Sequence, residues 1–416
     1  MYLRNYLQAC SHQSGALHFL LSSSIQKHSR VTILLSGNKM KQTIIADRVF
    51  DGQTFHTDLA ITFEDGHIVS FDTVQGAHES RVSGLIAPGF IDVQVNGGGG
   101  VLFNSSPNVE GIEAIGKAHA KFGTTAYLPT LITDDVGVMH RAADAVALAL
   151  ESNSAGVVGV HFEGPHLSVP KKGVHPQSYI RRISDAELAI FSRQDIGIKV
   201  VTLAPENVSP DVIQALVKAG VKVCLGHSNA DYDTVKAALA AGAIGFTHLY
   251  NAMSALDSRN PGMVGAALES AEAWCGLIVD GHHVHPASAR VAINAKPKGK
   301  VMLVTDAMPP VGVDEEVSFE LFGTQVLRVG DRLNAVTGEL AGCVLDMAGA
   351  VANTVNMLGL APDEALRMAS LYPAEFLGLS DKMGTLQVGG RADMVLLDDK
   401  YRVDQTYIGG ELVFKG

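Results

Sequence analysis

The chain has 416 residues, of which 47% are apolar and 18% charged, with a formal net charge of −11. That supplies a large core plus a smaller unit. The acidic balance, with no Lys/Arg-rich stripe, excludes a nucleic-acid binder, and no run reaches the roughly 18 apolar residues of a membrane span.

Cys10, Cys224, Cys275 and Cys343 are scattered without metal-type spacing, and two lie in expected buried strands, which suits a reducing cytosol. Residues 1–39 carry a short apolar run but no basic stretch close before it and no small-residue cleavage site. They read either as a flexible tail or as a translated upstream stretch. The second is preferred, because regular patterning begins just after Met40.

From Lys41 to Gly84 the texture is short strands and tight turns, with hairpin signals at Asp51-Gly52 and Asp65-Gly66. The same texture returns in "GTLQVGGRADMVLLDDKYRVDQTYIGGELVFKG". Residues 40–86 and 382–416 are therefore expected to build one small β-sandwich from both chain ends.

Between them, over 87–381, eight apolar runs alternate with helical or loop stretches: "FIDVQV", "TAYLPT", "VVGVHF", "IKVVTLAP", "VKVCLGH", "AIGFTHL", "CGLIVD" and "VMLVTD". Two of the intervening helices, "DVIQALVKAG" and "DYDTVKAALAAG", end in glycine as helix C-termini do. The count fits a (β/α)8 TIM barrel, a doubly wound sheet being the alternative. The C-terminal tips of the strands carry Gln94, Thr130, Glu163, Glu206, His227, His248, Asp280 with His283, and Asp306. A barrel gathers such tips into one pocket.

One carboxylate and two imidazoles on separate tips, in "HFEGPH", "LGHSNA" and "THLYNAM", form a ligand set that holds a divalent metal with an open position. A single strand-end histidine is more often a hydrogen-bonded structural residue, but three matched positions point to Glu163, His227 and His248 as ligands. Asp306 ends strand eight and has the chemistry of a general base; a turn residue is its bland alternative. Among the histidines of "VDGHHVHP", His283 is the candidate to polarise a carbonyl, with His282 and His285 as loop residues, although pattern alone hardly separates them. Lys171, Lys172 and His175, with Arg259, read as a local positive cluster for a phosphate or as a solvated turn. Gly97–Gly100 lack the ending of a phosphate-binding loop, and backbone flexibility explains them.

In order along the chain, "APGFIDVQVNGGGG", "HFEGPHLSVPKKGVHP", "LAPE", "GHSNA", "THLYNAMSAL" with "RNPG", "DGHHVHP", "VTDAMPPVG" and "LYPAEFLGL" resemble the N-acetylglucosamine-6-phosphate deacetylase family of the amidohydrolase superfamily. The resemblance runs from about residue 41 to the C-terminus. Most of the superfamily carries His-x-His where this chain has Gln94 and Asn96. Neutral amides are poorer transition-metal ligands than imidazole, so the resemblance implies one divalent metal per subunit, zinc or else iron or another divalent ion, with Gln94 behind the ligands.

It further implies Asp306 as general base and acid, and His283 at the acetyl carbonyl. Val174, His175, Asn251, Ala252 and Arg259 would contact the sugar phosphate, and Leu340, Ala341 and Gly342 would close over it. Arg259 would reach across from the second subunit of a homodimer. The activity implied is cytoplasmic hydrolysis of N-acetyl-D-glucosamine 6-phosphate to glucosamine 6-phosphate and acetate, by a metal-activated water. The alternatives are a preference for the galactosamine epimer, a cyclic-amide hydrolase, and a non-catalytic sugar-phosphate sensor.

Overall fold

A computed structural model describes residues 41–73, 81–313, 318–336 and 338–416. The expectation for residues 1–39 lies outside them.

All eight apolar runs form strands, and these pair in parallel in chain order: Phe90–Val95, Thr124–Ile132, Gly159–Glu163, Ile198–Leu203, Val221–Leu225, Gly245–Phe246, Trp274–Leu277 and Val301–Leu303. Chain order in a parallel sheet is barrel topology, and it disposes of the doubly wound alternative, in which the order reverses at a switch point. The seam between the first and last strands closes at the C-terminal end. There Asp306 N–H donates to Gln94 O (3.0 Å), and Asn96 and Gly97 N–H both donate to Ala307 O (3.0 and 2.9 Å). Beneath this, the Thr305 hydroxyl and Gln94 N–H donate to the fully buried Asp92, whose carboxyl is pushed up to about 7 by burial despite those bonds.

Helices Val109–Ala120, Val136–Glu151, Pro210–Lys218 and Tyr232–Ala240 cover the barrel, packing Ile112, Val146, Ile213 and Val235 against strand side chains such as Phe162 and Val223. Each such burial contributes about 1.5–3 kcal/mol. The two glycines expected at helix ends, Gly220 and Gly242, follow the caps of the third and fourth of these helices with φ of +81° and +107°, where a side chain would be strained.

The chain ends meet as expected. Glu411–Lys415, Val403–Ile408 and Met394–Leu397 continue through Arg81–Pro88 into Gln42–Phe50, Phe55–Glu64 and His67–Thr73, as one seven-stranded sheet. Ile44, Ile61, Phe63, Ile86, Met394 and Leu396 form its core.

One element was not anticipated. After strand eight the chain makes a four-stranded antiparallel sheet, Phe319–Leu321, Thr324–Val329, Arg332–Ala335 and Leu340–Cys343. It packs Leu321, Val326 and Leu333 with Leu102, Ile132 and Met308 at the barrel mouth.

Gly97–Gly100 are not a flexible loop. Gly97–Gly98 pairs with Val101–Leu102, and a β-carbon would stand 2.4 Å from Val101 O at Gly97 and 2.9 Å from the His119 ring at Gly98. The glycines permit close packing. His119 Nε2 donates to Gly97 O, and burial lowers the ring to about 4, so it is neutral. Cys224, Cys275 and Cys343 are buried and free. No described helix is long and apolar enough to cross a membrane.

Candidate active site

A cavity of about 210 Å3 opens at the C-terminal end of the strands. Glu163, His227 and His248 line it together, from strands three, five and six. Glu163 Oε1 lies 2.9 Å from His248 Nε2 and 3.3 Å from His227 Nε2, and the two nitrogens are 3.1 Å apart. His227 Nδ1 is 2.8 Å from Lys171 O, and since a carbonyl only accepts, Nδ1 carries the proton and Nε2 presents its lone pair. A tetrahedron with bonds of about 2.0–2.1 Å has edges near 3.3 Å, so these three atoms fit one divalent cation. His175 also brings a ring nitrogen within 4.8 Å of Glu163 and His227, but its Nδ1 is engaged with the Thr133 hydroxyl at 2.8 Å. Burial works against charge in this cluster, yet the bonds from both imidazoles hold Glu163 well below the usual carboxylate range.

Asp306, at the tip of strand eight, faces this cluster. Its Oδ1 accepts Asn96 Nδ2–H at 2.6 Å and Gln94 Nε2–H at 3.0 Å, and the same Gln94 nitrogen lies 3.3 Å from both oxygens of Glu163. The two amides thus act as donors that hold carboxylates in place. Burial and then the facing Glu163 raise the Asp306 carboxyl, while His248, His283 and Asn96 pull it back.

His227, His248 and Asp306 have φ of +48°, +31° and +52°, a left-handed conformation uncommon outside glycine. Strand direction alone would aim each side chain elsewhere, and the sharp turn tips it into the mouth of the barrel. Strain of this kind concentrates at functional sites.

His283 lines the cavity with Nδ1 held 2.6 Å from Asp280 Oδ2, while Asp280 Oδ1 accepts the His282 and His283 N–H groups. The neighbouring His282 Nε2 lies 2.9 Å from Asp331 at the tip of the inserted sheet, and His285 caps the following helix. The three histidines therefore have three separate roles.

Val174, His175, Asn251, Ala252, Leu340 and Gly342 also line the cavity. Ala341, between the last two, points away into the core of the inserted sheet, as strand alternation requires. Arg259 is exposed on a loop outside the cavity. Three further expectations need correction. His175 is held well below its ordinary pKa by burial and by His227, so it is neutral and adds no charge to a phosphate cluster. Glu206 accepts Ser228 Oγ–H and Asn229 N–H at 2.6 and 2.7 Å, bracing the turn after His227 from outside the cavity. Thr130 likewise ties strands together through Val95 N–H.

Asn96, Met308 and Ile132 line the cavity without having been assigned a place there. For Asn96 the signal was available: it lies two residues from Gln94, on the same face of an extended strand.

The model of the amidohydrolase family matches residues 85–413. The chain is 50% identical over 343 residues to N-acetylgalactosamine-6-phosphate deacetylase of Shewanella sp. (strain ANA-3), covering 82% of this chain and 86% of that one. It is 40% identical over 363 residues to N-acetylglucosamine-6-phosphate deacetylase of Bos taurus, covering 83% and 88%. The crystal structure of N-acetylglucosamine-6-phosphate deacetylase from Pasteurella multocida superposes with a TM-score of 0.86 at 34% identity, covering 91% of this chain and all of that one.

Proposed function

The chain belongs to the amidohydrolase family, and from that premise we propose that its cavity hydrolyses the acetamide of N-acetyl-D-glucosamine 6-phosphate, giving acetate and glucosamine 6-phosphate. The observation that carries the reading is the convergence of Glu163, His227 and His248 on one point, with Asp306 held beside them by Gln94 and Asn96.

When bound by Glu163, His227 and His248, a divalent cation supplies Lewis acidity for the acetyl carbonyl and the attacking water; zinc suits two imidazoles and one carboxylate, with iron or another divalent ion as the alternatives. The chain's own residues do the rest. Asp306 takes a proton from water as its oxygen bonds to the acetyl carbon, then returns it to the nitrogen as the C–N bond breaks. His283, steadied by Asp280, donates from Nε2 to the carbonyl oxygen as charge develops there. Val174, His175 and the inserted strand with Leu340 and Gly342 enclose the sugar. Asn251, the Ala252 backbone and an Arg259 from a second copy of the chain hold the phosphate, which makes the working unit a homodimer. Buried free cysteines and a phosphorylated substrate support a cytoplasmic setting for the reaction.

A second reading, the galactosamine epimer, is favoured by one observation: the 50% identity to the Shewanella deacetylase. Acetate release by metal-loaded protein from both epimeric 6-phosphates and from unphosphorylated N-acetylglucosamine tests all of this. Turnover of a 6-phosphate alone supports the reading, and the faster epimer names the substrate. Release from none of the three while metal is bound overturns it and turns attention to cyclic amides.

A further inference from the structure

We propose that Asn96, with Gln94, is a positioning residue for the proton shuttle: the two amides occupy Oδ1 of Asp306 and leave Oδ2 as the oxygen that takes and returns the proton. This rests on the reading of Asp306 as the base.

The geometry is specific. Asn96 Nδ2 and Gln94 Nε2 both donate to the same oxygen, at 2.6 and 3.0 Å. A carboxylate oxygen has two lone-pair sites, and an amide N–H cannot accept a hydrogen bond. A proton arriving on Oδ1 would face two N–H groups and displace one of them, whereas Oδ2 meets no such donor among the described residues. The backbone enforces the arrangement from both sides, since Asp306 N–H bonds Gln94 O and Asn96 N–H bonds Ala307 O. Gln94 and Asn96 alternate onto one face of strand one, so a single register sets both donors.

Two further facts separate Asn96 from an ordinary packing residue. It is 1% exposed, lines the cavity, and its Oδ1 has no partner among the described residues. A buried amide oxygen left unmatched is a penalty that an aliphatic side chain of similar volume would avoid, so the donor half of the amide must account for the residue. The hydrogen bond from Asn96 also acts on the Asp306 carboxyl in the direction that favours its ionised form, against burial and the nearby Glu163.

Gln94 touches Glu163 as well, so Asn96 is the cleaner probe. The test compares Asn96→Leu and the near-isosteric Asn96→Asp with wild type, measuring kcat, KM, metal per chain, thermal midpoint and affinity for the deacetylated product. For Asn96→Leu the expected result is a kcat lowered about 30-fold with KM within about threefold. Metal content and product affinity stay at the wild-type level. Asn96→Asp sets a second carboxylate against Oδ1, where the pair must share a proton, and falls further. It also decides the matter if the leucine variant does not fold. A kcat within about threefold of wild type overturns the proposal, and so does a loss of activity that only tracks a loss of metal. Asp306→Asn is run alongside. If that variant stays active, the reading of the base itself has failed; if it is dead while Asn96→Leu is active, only the present inference has.

Discussion

The Asp280 carboxylate sits 2.6 Å from His283 Nδ1, and the carboxylate's other oxygen ties down the backbone of the same loop. That pairing puts a proton on Nδ1, leaves Nε2 toward the cavity, and places a negative charge where it stabilises the ring when both nitrogens carry protons. Burial raises Asp280, but its bonds with His283 outweigh this and hold the carboxyl below its ordinary value. Asp280→Asn keeps an oxygen for the backbone and removes the charge. Its kcat is expected to fall about 10- to 100-fold, with KM little changed, in steady-state assays of acetate release. A kcat within about twofold of wild type would separate Asp280 from catalysis.

Metal removal should cost both turnover and stability, because Glu163, His227 and His248 crowd their ligand atoms within about 3 Å of one another. Stripping a site saturated 100- to 1,000-fold above its dissociation constant forfeits about 3–4 kcal/mol. The check is a thermal midpoint that falls on chelation and returns on adding zinc, in step with activity. A midpoint indifferent to chelation would argue against these ligands.

Arg259 is exposed on its own chain, and under the proposed function it reaches the phosphate bound by a second copy. Arg259→Ala alone should raise KM for the 6-phosphate well above its effect on kcat. Co-refolded with Asp306→Asn chains, it should recover roughly a quarter of wild-type activity at low substrate, because half the dimers are mixed and each has one intact composite site. No recovery in a mixture shown to contain mixed dimers would place the arginine's action within its own subunit, or nowhere near the phosphate.

Asp393, in the seven-stranded sheet domain, is 4% exposed, and burial pushes its carboxyl up to about 6, against the influence of Arg391 and a bond from Gly409 N–H. A carboxyl raised in the folded state binds its proton more tightly there than when unfolded. Its contribution to stability is therefore full below the unfolded value and is lost as pH rises through about 6. Relative to Asp393→Asn, the wild type should gain about 1 kcal/mol between pH 7.5 and 5, read from denaturant midpoints. A difference that does not move with pH would show that Asp393 does not titrate in this window.

The barrel was legible because each strand is a compact apolar run bounded by turn residues, and "FIDVQV" through "VMLVTD" all became strands in chain order. The convergence of Glu163, His227 and His248 was legible for a related reason: in a barrel, sequence position at a strand tip translates directly into place. The inserted sheet escaped, although "FELFGTQVLRVGDRLNA" carries hairpin signals at Phe322-Gly323 and Gly330-Asp331. Tertiary packing decided what pattern could not. Ala341 turns away from the cavity between two residues that face it, and burial silences the charge expected of His175. The donor role of Asn96 depends on the closeness of strand eight, which no local pattern encodes.

The left-handed backbone at His227, His248 and Asp306 carries a lineage-level consequence. Each such residue forgoes on the order of 1–3 kcal/mol that glycine would recover at the same φ. At His227 and His248 glycine would also forfeit what the cation contributes, but copies of this chain bred for heat survival alone would accumulate glycine at Asp306 early, and would grow sturdier as they went silent. The aspartate persists only where offspring are counted by what they turn over.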